Sequence, residues 1–310
     1  MYYARRNLVP TTAPASRALR LPEAMHNKTV LITGANDGIG RATAERLARK
    51  GAHLVLACRN ETSAQHTADW LVEHTGNSKI DTLPLDLASL SSVRAASEIF
   101  LADYPRLDVL INNAGVYCES LELTQDGYEL QFGVNHLGHF LLTLNLLPAM
   151  QCANICSRVI NVASALHTKG GIDFGNLRGE RGPRAYDGTA AYAQSKLANI
   201  LFTKELDRRH GSEITTNCLH PGVVGTSLAN KKGKLFTKAI WSLYKPFART
   251  PERGADTSVY LASSPEVREV SGRYFNPTQC LVKPSPTACN EQLARRLWEY
   301  SETAVREFLL

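Results

Sequence analysis

The sequence predicts an α/β protein: a doubly wound parallel sheet of about seven strands in a single domain. Three observations carry that expectation. Short β-branched runs alternate with longer amphipathic stretches from Thr29 onward, a glycine-rich string joins the first such pair, and 310 residues fit one large open sheet with its helices. TVLIT (29–33) feeds a helix at 39–50, HLVLAC (53–58) one at 61–74, and KIDTLPL (79–85) one at 89–103. LDVLIN (107–112) precedes a helical pattern at 126–150, and SRVINVA (157–163) one at 189–210. EITTNCL (213–219) leads to 251–263, and VSGRYF (270–275) to a last helix at 287–308. Right-handed crossovers set each helix on a sheet face, so functional residues should gather at the carboxyl ends of the strands.

Residues 1–27 read as an N-terminal extension and 28–310 as the domain. With 44% hydrophobic and 21% charged residues, the chain has the composition of a globular protein with a sizeable core. The net charge is +6, but Arg5, Arg6, Arg17 and Arg20 all precede the first acid, Glu23, so the body is only mildly basic. No lysine-rich run with interleaved aromatics points to nucleic acid, while the basic start leaves peripheral contact with an anionic membrane open. Seven cysteines, at 58, 118, 152, 156, 218, 280 and 289, are scattered without CxxC or CxxH spacing. That pattern predicts reduced thiols in an intracellular, cytoplasmic setting. Cys152 and Cys156 stand one helical turn apart without an adjacent His or acid, so no metal is expected. No apolar run is long enough to span a bilayer, and the start lacks the apolar centre of a secretory signal, although its Arg, Ser/Thr and Pro content also suits an organelle transit peptide.

Thr33-Gly34-Ala35-Asn36-Asp37-Gly38-Ile39-Gly40 lies between the first strand and first helix. Glycines there permit a tight turn and close backbone approach, leaving helix N-terminal N–H groups free for a pyrophosphate. The second strand ends in Cys58-Arg59-Asn60, without the acid that would receive the ribose hydroxyls of NAD. Arg59 can bond a 2′-phosphate, so NADP(H) is the expected cofactor. Asp37 places a negative charge in the same loop, with Arg41 near enough in sequence to offset it.

Tyr192 and Lys196 are four residues apart and share one helical face. A free Tyr titrates near about 10, and a nearby ammonium together with an oxidised nicotinamide would draw it towards useful proton transfer.

Together these motifs resemble the short-chain dehydrogenase/reductase superfamily, a Rossmann-type fold, from His26 to about Asn276. The resemblance implies cofactor contacts from Gly34, Asn36, Asp37, Gly38, Ile39, Gly40 and Arg59. It implies more from Asp86-Leu87 beside the adenine, from Asn113, Ala114 and Gly115 of the Asn-Asn-Ala-Gly string, and from Pro221, Gly222, Val224 and Thr226. It further implies a tetrad: Tyr192 as acid/base, Ser164 on the reacting oxygen, Lys196 lowering the Tyr192 pKa and holding the ribose, and Asn135 positioning a water behind Lys196. LACRN (56–60), VNHLGHFLLT (134–143), AYAQSKLANILFT (191–203) and LARRLWE (293–299) are similar to the retinol dehydrogenase group. That group acts on retinoids and other lipophilic carbonyl/alcohol pairs with NADP(H). It is often anchored by an N-terminal transmembrane helix, which residues 1–25 do not contain.

Between Ser164 and Tyr192 a glycine-rich excursion could wall a pocket, and LFTKAIWSLYKPFART (235–250) is amphipathic up to Pro246. The stretch 226–250 is expected to be a lid over a lipophilic substrate, with a membrane-resting helix as the competing use. His136, His139 and His167 are expected to bond backbone. The helices at 126–150 and 189–210 resemble the family's common homodimer surface. Two other readings stay open: a steroid or xenobiotic carbonyl reductase, and a non-catalytic NADP(H)-binding sensor or scaffold.

Overall fold

One seven-stranded sheet runs in the order β3-β2-β1-β4-β5-β6-β7, with every neighbouring pair parallel. In the computed structural model, which describes residues 25–151, 157–225 and 249–310, the strands are β1 (Thr29–Thr33), β2 (His53–Cys58), β3 (Ile80–Pro84), β4 (Val109–Asn112), β5 (Ser157–Val162), β6 (Ile214–Leu219) and β7 (Arg273–Phe275). The strands read as near-continuous apolar runs because both sheet faces are covered. Within β1, Leu31 packs on one face while Val30 and Ile32 pack on the other.

The second face carries α1 (Gly38–Ala48), α2 (Glu61–Thr75) and α6 (Asp256–Ser263), through Ala44, Leu47, Ala68, Leu71 and Val259. The first carries α3 (Leu90–Asp103), α4 (Gly138–Gln151) and α5 (Gly188–His210), through Val93, Phe100, Phe140, Leu197 and Leu201. α7 (Glu291–Val305) packs outside α5. Asn60, Ser89, Asp187 and Asn290 cap α2, α3, α5 and α7, each side chain accepting from a backbone N–H of the first turn.

The expected helices at 126–150, 251–263 and 287–308 are each shorter or broken. Helix begins only at Leu130, where the carboxylate of Glu129 accepts from Gln131 N (3.0 Å) and Phe132 N (2.7 Å). A π-helical turn, Gly133–Leu137, then leads into α4. The turn Pro251–Gly254 stands apart from α6, and α7 is flanked by 3-10 turns at Thr287–Cys289 and Arg306–Phe308. β4 starts two residues later than expected because the carboxylate of Asp108 accepts from Thr29 N (2.9 Å) and pairs with Lys28 (2.8 Å) and Arg106 (3.1 Å).

Described structure starts ahead of the expected boundary: the side chain of Met25 is buried, and its amide donates to Lys50 O (2.8 Å). The lid at 226–250, apart from Arg249 and Thr250, lies outside the described residues, as do Thr226, Cys152 and Cys156. Cys58, Cys118, Cys218, Cys280 and Cys289 are free thiols. Among the described residues, no helix is long and apolar enough to cross a membrane.

α7 also packs over α4 and α5. Trp298, 3% exposed, meets Phe140 edge-on (4.9 Å, 72°) and Phe202 at 5.9 Å, under the guanidinium of Arg209 at 4.6 Å. Trp298→Ala should therefore lower stability by about 3–5 kcal/mol. The urea midpoint measures this; an unchanged midpoint would mean that α7 is not docked.

Candidate active site

Strand order reverses between β1 and β4, since the chain builds β2 and β3 to one side and returns to place β4 on the other. A crevice opens at such a point beyond the carboxyl ends of the two strands. Thr33 closes β1 there, and its Oγ1 accepts from Asn113 N and Ala114 N, both at 2.9 Å. The Asn113 side chain returns the contact, its Nδ2 donating to Thr33 O (2.8 Å) and Gly34 O (3.4 Å). Asn113 thus binds turn to turn.

The glycines at this point are fixed by space. Gly34 has φ +64°, and a Cβ there would stand 3.0 Å from the Cβ of Ala114. At Gly40 a Cβ would come within 2.2 Å of Gly34 O, so α1 could not approach β1. At Gly115 it would reach 3.3 Å from Asn135 Oδ1 and 3.5 Å from Lys196 Nζ, covering ground between the turn and α5. These bare surfaces, with the start of α1 above them, fit a dinucleotide: a cradle that side chains would fill is kept empty.

Asp37 caps α1, its Oδ1 accepting from Gly38 N at 2.7 Å. Its carboxylate and Arg41 line a cavity of about 110 Å³ together with Gly38, Glu45, Gly225 and Glu252. The Arg41 guanidinium lies 5.1 Å from the Trp70 ring centroid. At the end of β2, Arg59 is exposed and makes no hydrogen bond or ion pair among the described residues. Beside it Asn36 Nδ2 donates to Ser63 Oγ (3.0 Å). After β3, the Asp86 carboxylate accepts from Ala88 N (3.0 Å), while Leu87 is buried against Gly138, where a Cβ would meet Leu87 O at 2.8 Å.

The expected tetrad comes from three elements. Ser164 follows β5, its Oγ accepting from Leu166 N (3.2 Å) and lying near enough to the Tyr192 hydroxyl to draw its pKa down. Lys196, 3% exposed, donates to Val162 O at 3.0 Å, and its Nζ lies 5.5 Å from the centre of the Tyr192 ring. Burial lowers its pKa to about 8. Burial pushes Tyr192 up to about 12, opposed by the Ser164 hydrogen bond.

Asn135 sits inside the π-helical turn with both side-chain atoms engaged. Oδ1 accepts from Val116 N (2.8 Å), and Nδ2 donates to Val116 O (3.1 Å) and Ser195 Oγ (2.9 Å). Its carbonyl accepts from His139 Nδ1 (3.1 Å), which leaves His139 Nε2 to accept from Thr33 Oγ1 (2.9 Å). The buried His139 therefore joins the dinucleotide turn to the tetrad.

On the opposite wall, Gly222 has φ +84°, and Val224 pairs with Arg249, whose Nη1 donates to Pro277 O (3.0 Å).

Sequence reasoning overlooked several members. Thr33 and Glu129 could have been read from their places before Gly34 and at a helix start. Tyr117 meets Tyr192 edge-on at 5.7 Å, and Gln131 Nε2 donates to Tyr186 Oη (2.7 Å) and Gly188 O (2.9 Å), yet no motif marks either residue.

Fold and site together define an α/β oxidoreductase built to carry a dinucleotide at the switch point of its sheet. Residues 28–235 match the family model described as short chain dehydrogenase. Human retinol dehydrogenase 14 is 46% identical over 301 residues, covering 92% of this chain and 88% of its own. Human retinol dehydrogenase 13 is 44% identical, covering 90% of this chain and 84% of its own. Among solved structures, an uncharacterized protein from Mycobacterium Paratuberculosis superimposes with TM-score 0.74 at 33% identity, covering 92% of this chain and 96% of its own. A Beutenbergia cavernae protein assigned as an NAD(P) dependent gluconate 5-dehydrogenase, with bound NADP, gives 0.66 at 29% identity, covering 83% of this chain and 97% of its own. The chain belongs to the short-chain dehydrogenase/reductase superfamily and to its retinol dehydrogenase-like group.

His139 and His136 are fully buried, and burial lowers them to about 4 and about 3, the neighbouring His139 adding to the shift at His136. Unfolded histidine titrates near about 6.5, so between there and the folded values the unfolded chain holds more protons and stability falls as pH falls. Each residue should contribute up to about 1.4 kcal/mol per pH unit across that window. Urea midpoints at pH 7.5 and 5.5 measure the fall, and His139→Gln should make it shallower; equal midpoints would contradict the assignment.

Proposed function

We propose that the chain is an NADP(H)-dependent oxidoreductase that interconverts a lipophilic alcohol and its aldehyde or ketone, with Tyr192 as the proton donor or acceptor. The observation that carries this reading is the buried ammonium of Lys196, 5.5 Å from the centre of the Tyr192 ring, with Ser164 beside the Tyr192 hydroxyl. A non-catalytic nucleotide binder has no use for that pair. Gly34, Gly38, Gly40 and Gly115 would leave room for the dinucleotide, with Asn36, Ile39, Asp86, Leu87, Ala114, Pro221, Gly222 and Val224 along its walls. When bound, the nicotinamide supplies or takes up the hydride.

Ser164 and Tyr192 then hold the substrate oxygen from two sides, where negative charge develops as its carbon is reduced. With its pKa raised to about 12 by burial, Tyr192 carries its proton at neutral pH, the state needed to protonate that oxygen. Lys196 keeps a positive charge close to the phenol while anchored on Val162, and Asn135 fixes the Val116 backbone next to it. Arg59, exposed and unpaired among the described residues, would bond a 2′-phosphate. The NADP bound by the 29%-identical relative supports the same cofactor, and the names of the curated relatives support a retinol/retinal-like substrate.

Tyr192→Phe should lower turnover by about 10²–10⁴-fold, followed by NADPH absorbance with retinal, steroids and aliphatic aldehydes as substrates. Activity surviving in that variant would overturn the mechanism. Arg59→Asp should shift the kcat/KM ratio towards NADH, and an unchanged NADPH/NADH ratio would remove the phosphate contact.

A further inference from the structure

We propose that His167 is the positioning residue for Ser164, and that the segment after β7 fixes it by bonding the far side of its ring. This rests on the reading of Ser164 as a group on the substrate oxygen.

His167 is 3% exposed and lies in the 3-10 turn that Ser164 begins. Its Nδ1 stands 2.8 Å from Ser164 O, and its Nε2 stands 3.1 Å from Ser285 N. A carbonyl can only accept and a backbone amide can only donate, so the ring is neutral with its hydrogen on Nδ1. The His167 amide donates to the same Ser164 carbonyl at 3.2 Å. The Tyr274 ring stands edge-on to His167 at 5.1 Å, with its hydroxyl 3.4 Å from Nδ1.

Two donors from one residue therefore hold the Ser164 peptide plane. Held against the β5 backbone that precedes it, that plane sets ψ at Ser164 and with it the direction of the Cα–Cβ bond that carries Oγ. Ser285 reaches the ring because the chain folds back after β7: Val282 N donates to Tyr274 O (3.0 Å), and Phe275 pairs antiparallel with Leu281. Farther on, Ala288 N donates to Ser285 Oγ (3.3 Å) just ahead of α7. The tail of the domain thus sets the geometry of the tetrad without touching the reacting atoms.

The two ring nitrogens can be replaced separately. Asparagine offers an N–H near the place of Nδ1, and glutamine an oxygen near the place of Nε2. His167→Leu should lower kcat about 10- to 100-fold, with the dissociation constant for NADPH unchanged by fluorescence titration. His167→Asn should regain most of that loss and His167→Gln should not; this pair decides the matter if the Leu variant fails to fold. In a Ser164→Ala background, His167→Leu should cost less than about 2-fold more, because both changes act through one hydroxyl. A folded His167→Leu enzyme with wild-type kcat, an Asn variant as slow as Gln, or an undiminished loss in the Ser164→Ala background would each overturn the proposal. Full activity in Ser164→Ala alone would instead remove the role given to Ser164 itself, so the two failures are distinguishable.

Discussion

The distance between the carboxyl ends of β1 and β4 decides whether this molecule has a site, and one hydroxyl sets it. Thr33 Oγ1 takes two amide donors from the Asn113-Ala114 turn and stands 2.9 Å from His139. Because the hydroxyl is fully buried, each of these contacts is made away from water, where an unmet partner would be costly. The glycines at 34 and 40 then follow as requirements of space, since a Cβ at either would push the two turns or α1 apart. Backbone amides at the start of α1 become available to a ligand only because strand, turn and helix are drawn this close.

From that junction a chain of polar contacts runs inward to α5, which carries Tyr192 and Lys196. His139 passes from Thr33 to the Asn135 carbonyl, Asn135 clamps Val116 and reaches Ser195, and Lys196 beside it rests on Val162 at the end of β5. Burying an ammonium and two neutral histidines is expensive, and the structure meets the cost by giving most of their polar atoms a partner. His136 Nδ1 is an exception, buried without one. The π-helical turn at Gly133–Leu137 belongs to this arrangement, because it carries Asn135 and leads directly into the helix that carries His139.

α7 has a similar part on the outer side. By laying Trp298, Leu297 and Ala294 over α4 and α5, it gives the long helix α5 an apolar environment on both sides. That explains why polar residues such as Asn199 and Thr203 within α5 find partners in the protein, at Val162 O and at Asn161 Nδ2 respectively.

The order of strands and helices, the glycine turn, the capping residues and the Tyr192/Lys196 spacing are properties of local sequence, and local sequence determined them. Apolar runs covered on both faces, glycines at a turn and a four-residue helical repeat each leave a signature within a few neighbours. Other features required residues far apart to meet. The break in the helix expected at 126–150 depends on Glu129, whose amide donates to Leu177 O (3.0 Å) and whose Oε1 accepts from the Tyr186 hydroxyl (2.7 Å). The cover over α4 and α5 depends on a helix that starts more than 80 residues after the end of α5, and the orientation of Ser164 on an amide at Ser285. Periodicity records which face of an element is apolar, but only tertiary packing decides which partner fills it. For the same reason the neutral state of His139 and His167 could not be read in advance: a ring's proton is assigned by the carbonyl or amide that folding brings beside each nitrogen.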